Sequence, residues 1–249
     1  MTRAPYRLVG PIGARGVLGL IVLQEDETIE QDFRRLFPAG DVALYVNRIP
    51  SGVDLTPETL AAMEASLPQA AALFPSGLEF DAVAYACTSG ATVIGTDRVA
   101  DLVRGAAKVR AVTDPLSATL AAMAAVGAGR IAMLSPYVAE VSASMRDRLA
   151  IHGVRTVRFA SFEQQQEAVV ARIDPASIRA AALDLAGEGG AEAIFLACTN
   201  LRTLDIIEDL ESETGLPVIA SNQALAWHMA RLAGAGMPRA ACGRLMRMG

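Results

Sequence analysis

Two cysteines stand at the ends of matching stretches. Asp81-Ala82-Val83-Ala84-Tyr85-Ala86-Cys87-Thr88-Ser89-Gly90 is an apolar run that stops in a small, hydroxyl-rich loop. Glu192-Ala193-Ile194-Phe195-Leu196-Ala197-Cys198-Thr199-Asn200-Leu201 repeats the layout: an acid, five apolar residues, then Cys-Thr and a small polar residue. A thiolate is a base and a nucleophile, and one thiol on each face of a carbon acid can do what a single thiol cannot. One sulfur removes the α-proton and the other returns it from the far side, inverting the centre. Alternatively, one adds to a double bond and permits rotation about it. Either step puts negative charge on a neighbouring carboxylate. Hydroxyl and N–H donors at Thr88, Ser89 and Thr199 would stabilise that charge by on the order of 3 kcal/mol per well-placed donor. If each loop leads into a helix, the helix N-terminus favours the thiolate over a reference pKa of about 8.5. A strand-end cysteine is also a common inert packing residue, and such hydroxyls are common helix caps. The symmetry of the pair argues for chemistry.

The elements that must position these loops follow from period and punctuation. Unalternated apolar runs of this length suit central parallel strands, whose carboxyl ends face the ligand crevice in open α/β sheets. Gly16 to Val22 reads as the first strand, Gln24 to Phe37 as a helix ended by Pro38-Ala39-Gly40, and Asp41 to Val46 as a second strand. Thr56-Pro57-Glu58 starts a helix disturbed at Pro68. After Cys87 come a helix over 92–104, a strand over 109–112 and a helix from Asp114-Pro115 to Val126. Arg130 to Leu134 opens a second series. In it Pro136-Tyr137 begins a helix ended by His152-Gly153, 156–159 is a strand, and helices cover 163–173 and 176–186. The strand into Cys198, a helix near 204–213, the strand 218–220 and a helix over 223–232 complete the set. Alternation of this kind indicates βαβ units. The starts at Gly16 and Gly129 are spaced much like the two cysteines, so the halves read as copies of one unit. The expected fold is α/β with two pseudo-symmetric parallel-sheet domains, 1–113 plus 222–249 and 114–221, and the site in the cleft between them.

Composition excludes several classes. Of the 249 residues 52% are hydrophobic and 20% charged, with net charge −5, which places the chain among globular proteins. Scattered Lys and Arg and 5% aromatics offer no nucleic-acid surface. No apolar run approaches the roughly 20 residues of a membrane span, and Met1 to Tyr6 lacks a signal peptide's apolar segment, so a cytoplasmic protein is expected. Only His152 and His228 exist, both isolated, and metal-ligand spacings are absent. Cys242 and His228 read as incidental. The glycine-rich 10–16 stretch precedes a strand, the reverse of a phosphate loop.

The chain resembles the aspartate/glutamate racemase superfamily, in its branch of maleate isomerases, arylmalonate decarboxylases and ectoine-utilisation proteins. The resemblance rests on Gly19-Leu20-Ile21-Val22 with Asp26-Glu27-Thr28, Cys87-Thr88-Ser89, Ser135-Pro136-Tyr137 and Cys198-Thr199. It implies flavodoxin-like domains, cofactor-free chemistry beside a carboxylate, Cys87 and Cys198 as the reacting pair, and Thr88, Ser89, Thr199 and Tyr137 as carboxylate binders. Asp26 stands where maleate isomerases carry a carboxylate-binding asparagine. An acid there disfavours a second carboxylate and favours an amino or amidine group. A further family asparagine has no match, because Gln164-Gln165-Gln166-Glu167 occupies its region. The function expected is a racemase or cis–trans isomerase acting on a small carboxylic acid. A decarboxylating lyase and a carboxylate-binding accessory protein of compatible-solute utilisation are the alternatives. A homodimer is the expected assembly.

Overall fold

The computed structural model describes residues 3–37, 42–52, 54, 56–236 and 242–248. Its elements alternate as the apolar pattern requires. The first half runs β1 (Gly16–Leu23), α1 (Ile29–Leu36), β2 (Val42–Ile49), α2 (Pro57–Ala62), α3 (Leu67–Ala72), β3 (Phe80–Ala86), α4 (Thr88–Ile94), α5 (Thr96–Arg104), β4 (Val109–Thr113) and α6 (Pro115–Val126). The second runs β5 (Arg130–Tyr137), α7 (Ala139–Ile151), β6 (Arg155–Gln164), α8 (Glu167–Val170), α9 (Pro175–Gly187), β7 (Ala193–Leu196), α10 (Ile207–Thr214), β8 (Val218–Ala220), α11 (Ser221–Ala233) and α12 (Gly243–Met246).

Two four-stranded parallel sheets result, ordered β2-β1-β3-β4 and β6-β5-β7-β8. The same order arises twice, so β3 and β7, which carry the cysteines, occupy equivalent central places. Every residue of β1 and β7 is buried, as strands covered on both faces must be. α11 follows the last strand of the second sheet, yet packs on α6, β3, β1 and β4, which returns the chain to the first sheet. No helix of the described residues is long and apolar enough to cross a membrane.

Local chemistry sets the helix ends. Thr56 caps α2 through the Thr59 N–H, and Asp114 caps α6 through Leu116 and Ser117. Pro68 falls in the first turn of α3, where proline is tolerated, with a 3-10 turn before it. Several boundaries differ from expectation. The helix expected over 92–104 is two helices, because Gly95 at φ +94° interrupts them, and the first starts immediately after Cys87. β2 continues to Ile49; its expected first residue, Asp41, and the stop at Pro38-Ala39-Gly40 lie outside the described residues. The 163–173 region forms only the short α8, since β6 runs on to Gln164.

Candidate active site

β3 delivers Cys87 to the first position beyond the sheet, where its extended backbone caps α4. The Cys87 sulfur accepts the Gly90 N–H at 3.2 Å and lies 3.6 Å from Ser89 Oγ. Gly90 is required by close approach: a Cβ there would collide with the Tyr85 hydroxyl and stand 3.0 Å from the sulfur. β7 delivers Cys198 in the same way, and its sulfur accepts the Asn200 N–H at 3.2 Å. A helix does not follow directly here, contrary to expectation. The Asn200 side chain reaches out of its turn instead. Its Oδ1 accepts the Glu27 N–H (2.9 Å), its Nδ2 donates to Glu167 Oε2 (2.7 Å), and its carbonyl accepts the Thr28 hydroxyl (2.9 Å).

The two loops interlock. The Thr88 hydroxyl donates to Ser221 Oγ at 3.1 Å, and the same oxygen accepts the Cys198 N–H at 3.1 Å. The Thr199 hydroxyl points to the Ala86 carbonyl at 3.5 Å, beside Cys87. Asn222 Nδ2 holds the Thr199 carbonyl (2.7 Å) and Asp32 Oδ2 (2.8 Å). Buried partners of this kind contribute about 1 kcal/mol each and cost more when one is removed.

Tyr137 ends β5 rather than starting a helix, so the expected first-turn placement is corrected. Its carbonyl accepts the Ser142 and Ser161 hydroxyls, and it pairs with Gln164 across the sheet, which keeps the strand extended through Pro136. The buried Tyr137 phenol faces Cys198. Its pKa is pushed well up by burial, then by Cys198, Glu167 and Cys87, so both sulfurs and one acid share its surroundings.

Burial decides the electrostatics. Cys87 is 2% exposed and its pKa is pushed up to about 11 by desolvation, against the opposing Ser89, Gly90 and Tyr85 donors; Glu167 adds to the rise. Cys198, 1% exposed, is pushed well up by burial and then by Glu167, despite Tyr137 and the Asn200 N–H. The expectation of lowered thiol pKa values is therefore overturned: desolvation outweighs the helix terminus. Both thiols are neutral at pH 7. Glu167, on α8, is pushed up to about 7 by burial, with Asn200 opposing and Asp26 and Glu25 reinforcing. Asp26 is also raised by burial, although the Ile29 and Thr28 N–H groups, the Thr199 hydroxyl and Arg48 favour its charged form.

The cysteines, Thr88, Ser89, Thr199, Tyr137 and Asp26 are thus all buried, and the hydrogen bonds above tie the Cys87, Cys198 and β1–α1 loops to one another. Glu167, Asn200, Ser221 and Asn222 join them and were not singled out from sequence. Ser221 and Asn222 follow a strand end as the Cys-Thr loops do, and the same rule would have found them. Glu167 carries no such signal, being one acid in a polar run. Cys242 packs under α11, its carbonyl accepting Gln223 Nε2, and His228 Nδ1 bonds the Thr113 hydroxyl at 2.9 Å, so both are structural.

A family model described as arylmalonate decarboxylase matches residues 69–246. The arylmalonate decarboxylase of Bordetella bronchiseptica is 30% identical over 125 residues, 48% of this chain and 50% of that protein, so the match spans half of that relative's length. Among solved structures, a doubly substituted arylmalonate decarboxylase in liganded form superposes with TM-score 0.82 at 26% identity, covering 92% of this chain and 98% of that one. A maleate cis–trans isomerase variant from Nocardia farcinica, with a covalently bound succinylcysteine intermediate, superposes with TM-score 0.83 at 24% identity over 94% and 99% of the two chains.

Proposed function

Because the chain belongs to the arylmalonate decarboxylase family, we propose that it is a cofactor-independent racemase or cis–trans isomerase acting on a small carboxylic acid through Cys87 and Cys198. One observation carries the reading. Equivalent strand ends of the two halves each contribute a sulfur to surroundings shared with Tyr137, and a single hydroxyl, Ser221 Oγ, ties the two loops together. In racemisation one thiolate takes the α-proton and becomes a thiol, while the other thiol gives its proton from the opposite face and becomes the thiolate. In isomerisation a thiolate adds to one alkene carbon, the former double bond rotates, and the thiolate is expelled. The succinylcysteine of the Nocardia farcinica enzyme supports the second route.

Tyr137, Thr199 and Ser89 are the donors proposed for the substrate carboxylate, and Thr88 acts partly by holding Ser221. Asp26 is assigned to substrate selection. Because both thiols are buried, turnover requires the β1–α1 loop and the Asn200 turn to part. The division proposed, 1–113 plus 222–249 against 114–221, puts that parting between halves. A dimer and a cytoplasmic setting belong to the same reading.

Decarboxylation is the second reading, favoured by the 30% identity to a decarboxylase. A binding role without turnover, as in ectoine utilisation, is favoured only by the neutral state of both thiols. Incubation in deuterium oxide with a panel of chiral and cis-unsaturated acids separates them. Expected is inversion with uptake of one solvent deuteron, or cis–trans conversion, lost in both Cys87→Ala and Cys198→Ala. Release of carbon dioxide without either supports the lyase, binding with no turnover supports the accessory role, and turnover untouched by both replacements sinks the assignment.

A further inference from the structure

A cavity of about 180 Å³ lies between α1 and the turn that leads from the Cys198 loop to α10. Thr28, Asp32 and Arg35 line it from the first half, and Arg202, Thr203 and Asp205 from the second. None of Cys87, Cys198, Tyr137 or Glu167 borders it. Two of its polar groups lack partners. Thr203 is 1% exposed, yet its Oγ1 is buried without a hydrogen bond and caps no helical turn. Arg202 is exposed, and no group among the described residues bonds its guanidinium.

Charge decides what this cavity accepts. Arg35 is committed to Asp205 through both terminal nitrogens, so that pair is balanced. The Thr28 hydroxyl is already given to the Asn200 carbonyl. Asp32 gives Oδ2 to Asn222 Nδ2 at 2.8 Å, and no bond among the described residues occupies Oδ1. Burial lifts the Asp32 pKa to about 7, with Asn222 and Arg35 opposing and Asp26 and Asp205 reinforcing. Below that pH the wall therefore carries an uncompensated guanidinium, an unused hydroxyl and a neutral carboxyl. All three can donate to an oxyanion, and guanidinium suits carboxylate and phosphate geometry. A cation meets the reverse, because Asp205 is taken and Asp32 must first lose its proton.

We propose that this cavity is a second binding site, separate from the cysteines, for a small oxyanion of carboxylate or phosphate type held by the Arg202 guanidinium and the Thr203 hydroxyl. Binding there is linked to protons. An oxyanion beside Asp32 favours its neutral form, so the ligand takes up protons near pH 7 and is held less well once Asp32 ionises. The other charged or titratable groups around Asp32 are Arg35 on the same helix, Asp26 before it, and Arg202 and Asp205 across the cavity. Cys242, before α12, and Glu208, on α10, complete that group. Cys242 is raised above its ordinary value of 9.0 by burial and stays a thiol throughout. The site adjoins the reactive loop without sharing its groups: Asn222, which bonds Asp32, also holds the Thr199 carbonyl at 2.7 Å, next to Cys198.

The test is calorimetric titration of the full chain with acetate and with sulfate, whose charges do not change between pH 6 and pH 8; the tighter of the two tells a carboxylate site from a tetrahedral-anion site. Expected is one saturable event at pH 6 for at least one of them, weakened about tenfold or more in Arg202→Ala and several-fold in Thr203→Val. Thr203→Val should melt no lower than the parent, because its hydroxyl has no protein partner to lose. Parent binding should be several-fold weaker at pH 8, whereas Asp32→Asn, which keeps the acceptor for Asn222, should bind alike at both. Replacing Cys87 and Cys198 together by Ala should leave the event in place. No saturable binding of either anion, binding unchanged in folded Arg202→Ala, binding lost with the cysteines but kept without Arg202, or parent binding as tight at pH 8 as at pH 6 overturns the proposal.

Discussion

The two cysteine loops begin alike and diverge at their third residue, and that residue decides what each loop becomes. Ser89 is short; it stays 3.6 Å from its own Cys87 sulfur and lets α4 start at once. Asn200 is one amide longer and reaches away, binding Glu27 and Glu167, while the Thr28 hydroxyl takes its carbonyl; the chain turns instead of coiling. One loop therefore offers its sulfur a helix terminus. The other ties the first half's β1–α1 loop to the second half and sets its sulfur beside a phenol and two acids. Burial pushes the Cys87 thiol up to about 11 with Glu167 adding to the rise, and pushes Cys198 well above its ordinary value with both Glu167 and Asp26 adding. Sequence symmetry thus yields chemical asymmetry. With Asp26 as well as Glu167 raising it, Cys198 is the expected first proton donor, and Cys87 the expected first base or nucleophile.

Removing either sulfur tests the pairing most severely. Cys87→Ala and Cys198→Ala should each lower turnover by about 10² to 10⁴-fold, the usual span for a positioned acid or base. Near-normal turnover in one of them breaks the comparison. Next comes Glu167→Gln, read by urea unfolding across pH. The Glu167 pKa is raised from the ordinary 4.5 to about 7, so its contribution to stability is complete below about pH 4.5 and lost as pH rises through 7. The variant should match the parent at pH 4 and exceed it by at most about 3 kcal/mol above pH 7. Asp32, also raised to about 7 by burial, titrates over the same window and is common to both proteins. An identical stability profile in the variant would show that the fold does not hold Glu167 neutral.

Asn200→Ala should destabilise by about 2 kcal/mol, because the Glu27 N–H and the Glu167 carboxyl lose a buried partner together. Thermal or denaturant unfolding measures it, and a loss no larger than that of Ser89→Ala would remove the distinction between the loops. Ser89→Ala itself should cost under about 1 kcal/mol. Its effect belongs on the sulfur: alkylation of Cys87 by iodoacetamide near pH 9, followed by peptide mass spectrometry, should slow by a few-fold, with Cys198 reacting more slowly than Cys87 in the parent. Faster labelling of Cys198 reverses the assigned roles.

Much of this was legible in the chain because it is local. Apolar runs ending in Cys-Thr predict buried central strands and the loops beyond them, and Asp114-Pro115 and Thr56-Pro57 mark helix starts that the structure keeps. Misread boundaries have local causes too. Tyr137 stays in β5 because serines from α7 and β6 hold its carbonyl, and Thr88 enters a helix because Cys87 can serve as its cap. A two-fold repeat and a pair of thiols needed no coordinates to be noticed. Their protonation did, since desolvation depends on everything packed around a sulfur and here exceeds the donors written beside it. Glu167 needed them for the same reason. Its neighbours Asp26 and Cys87 are distant in sequence, and only the folding of the two halves together makes an ordinary acid in a polar run a buried group.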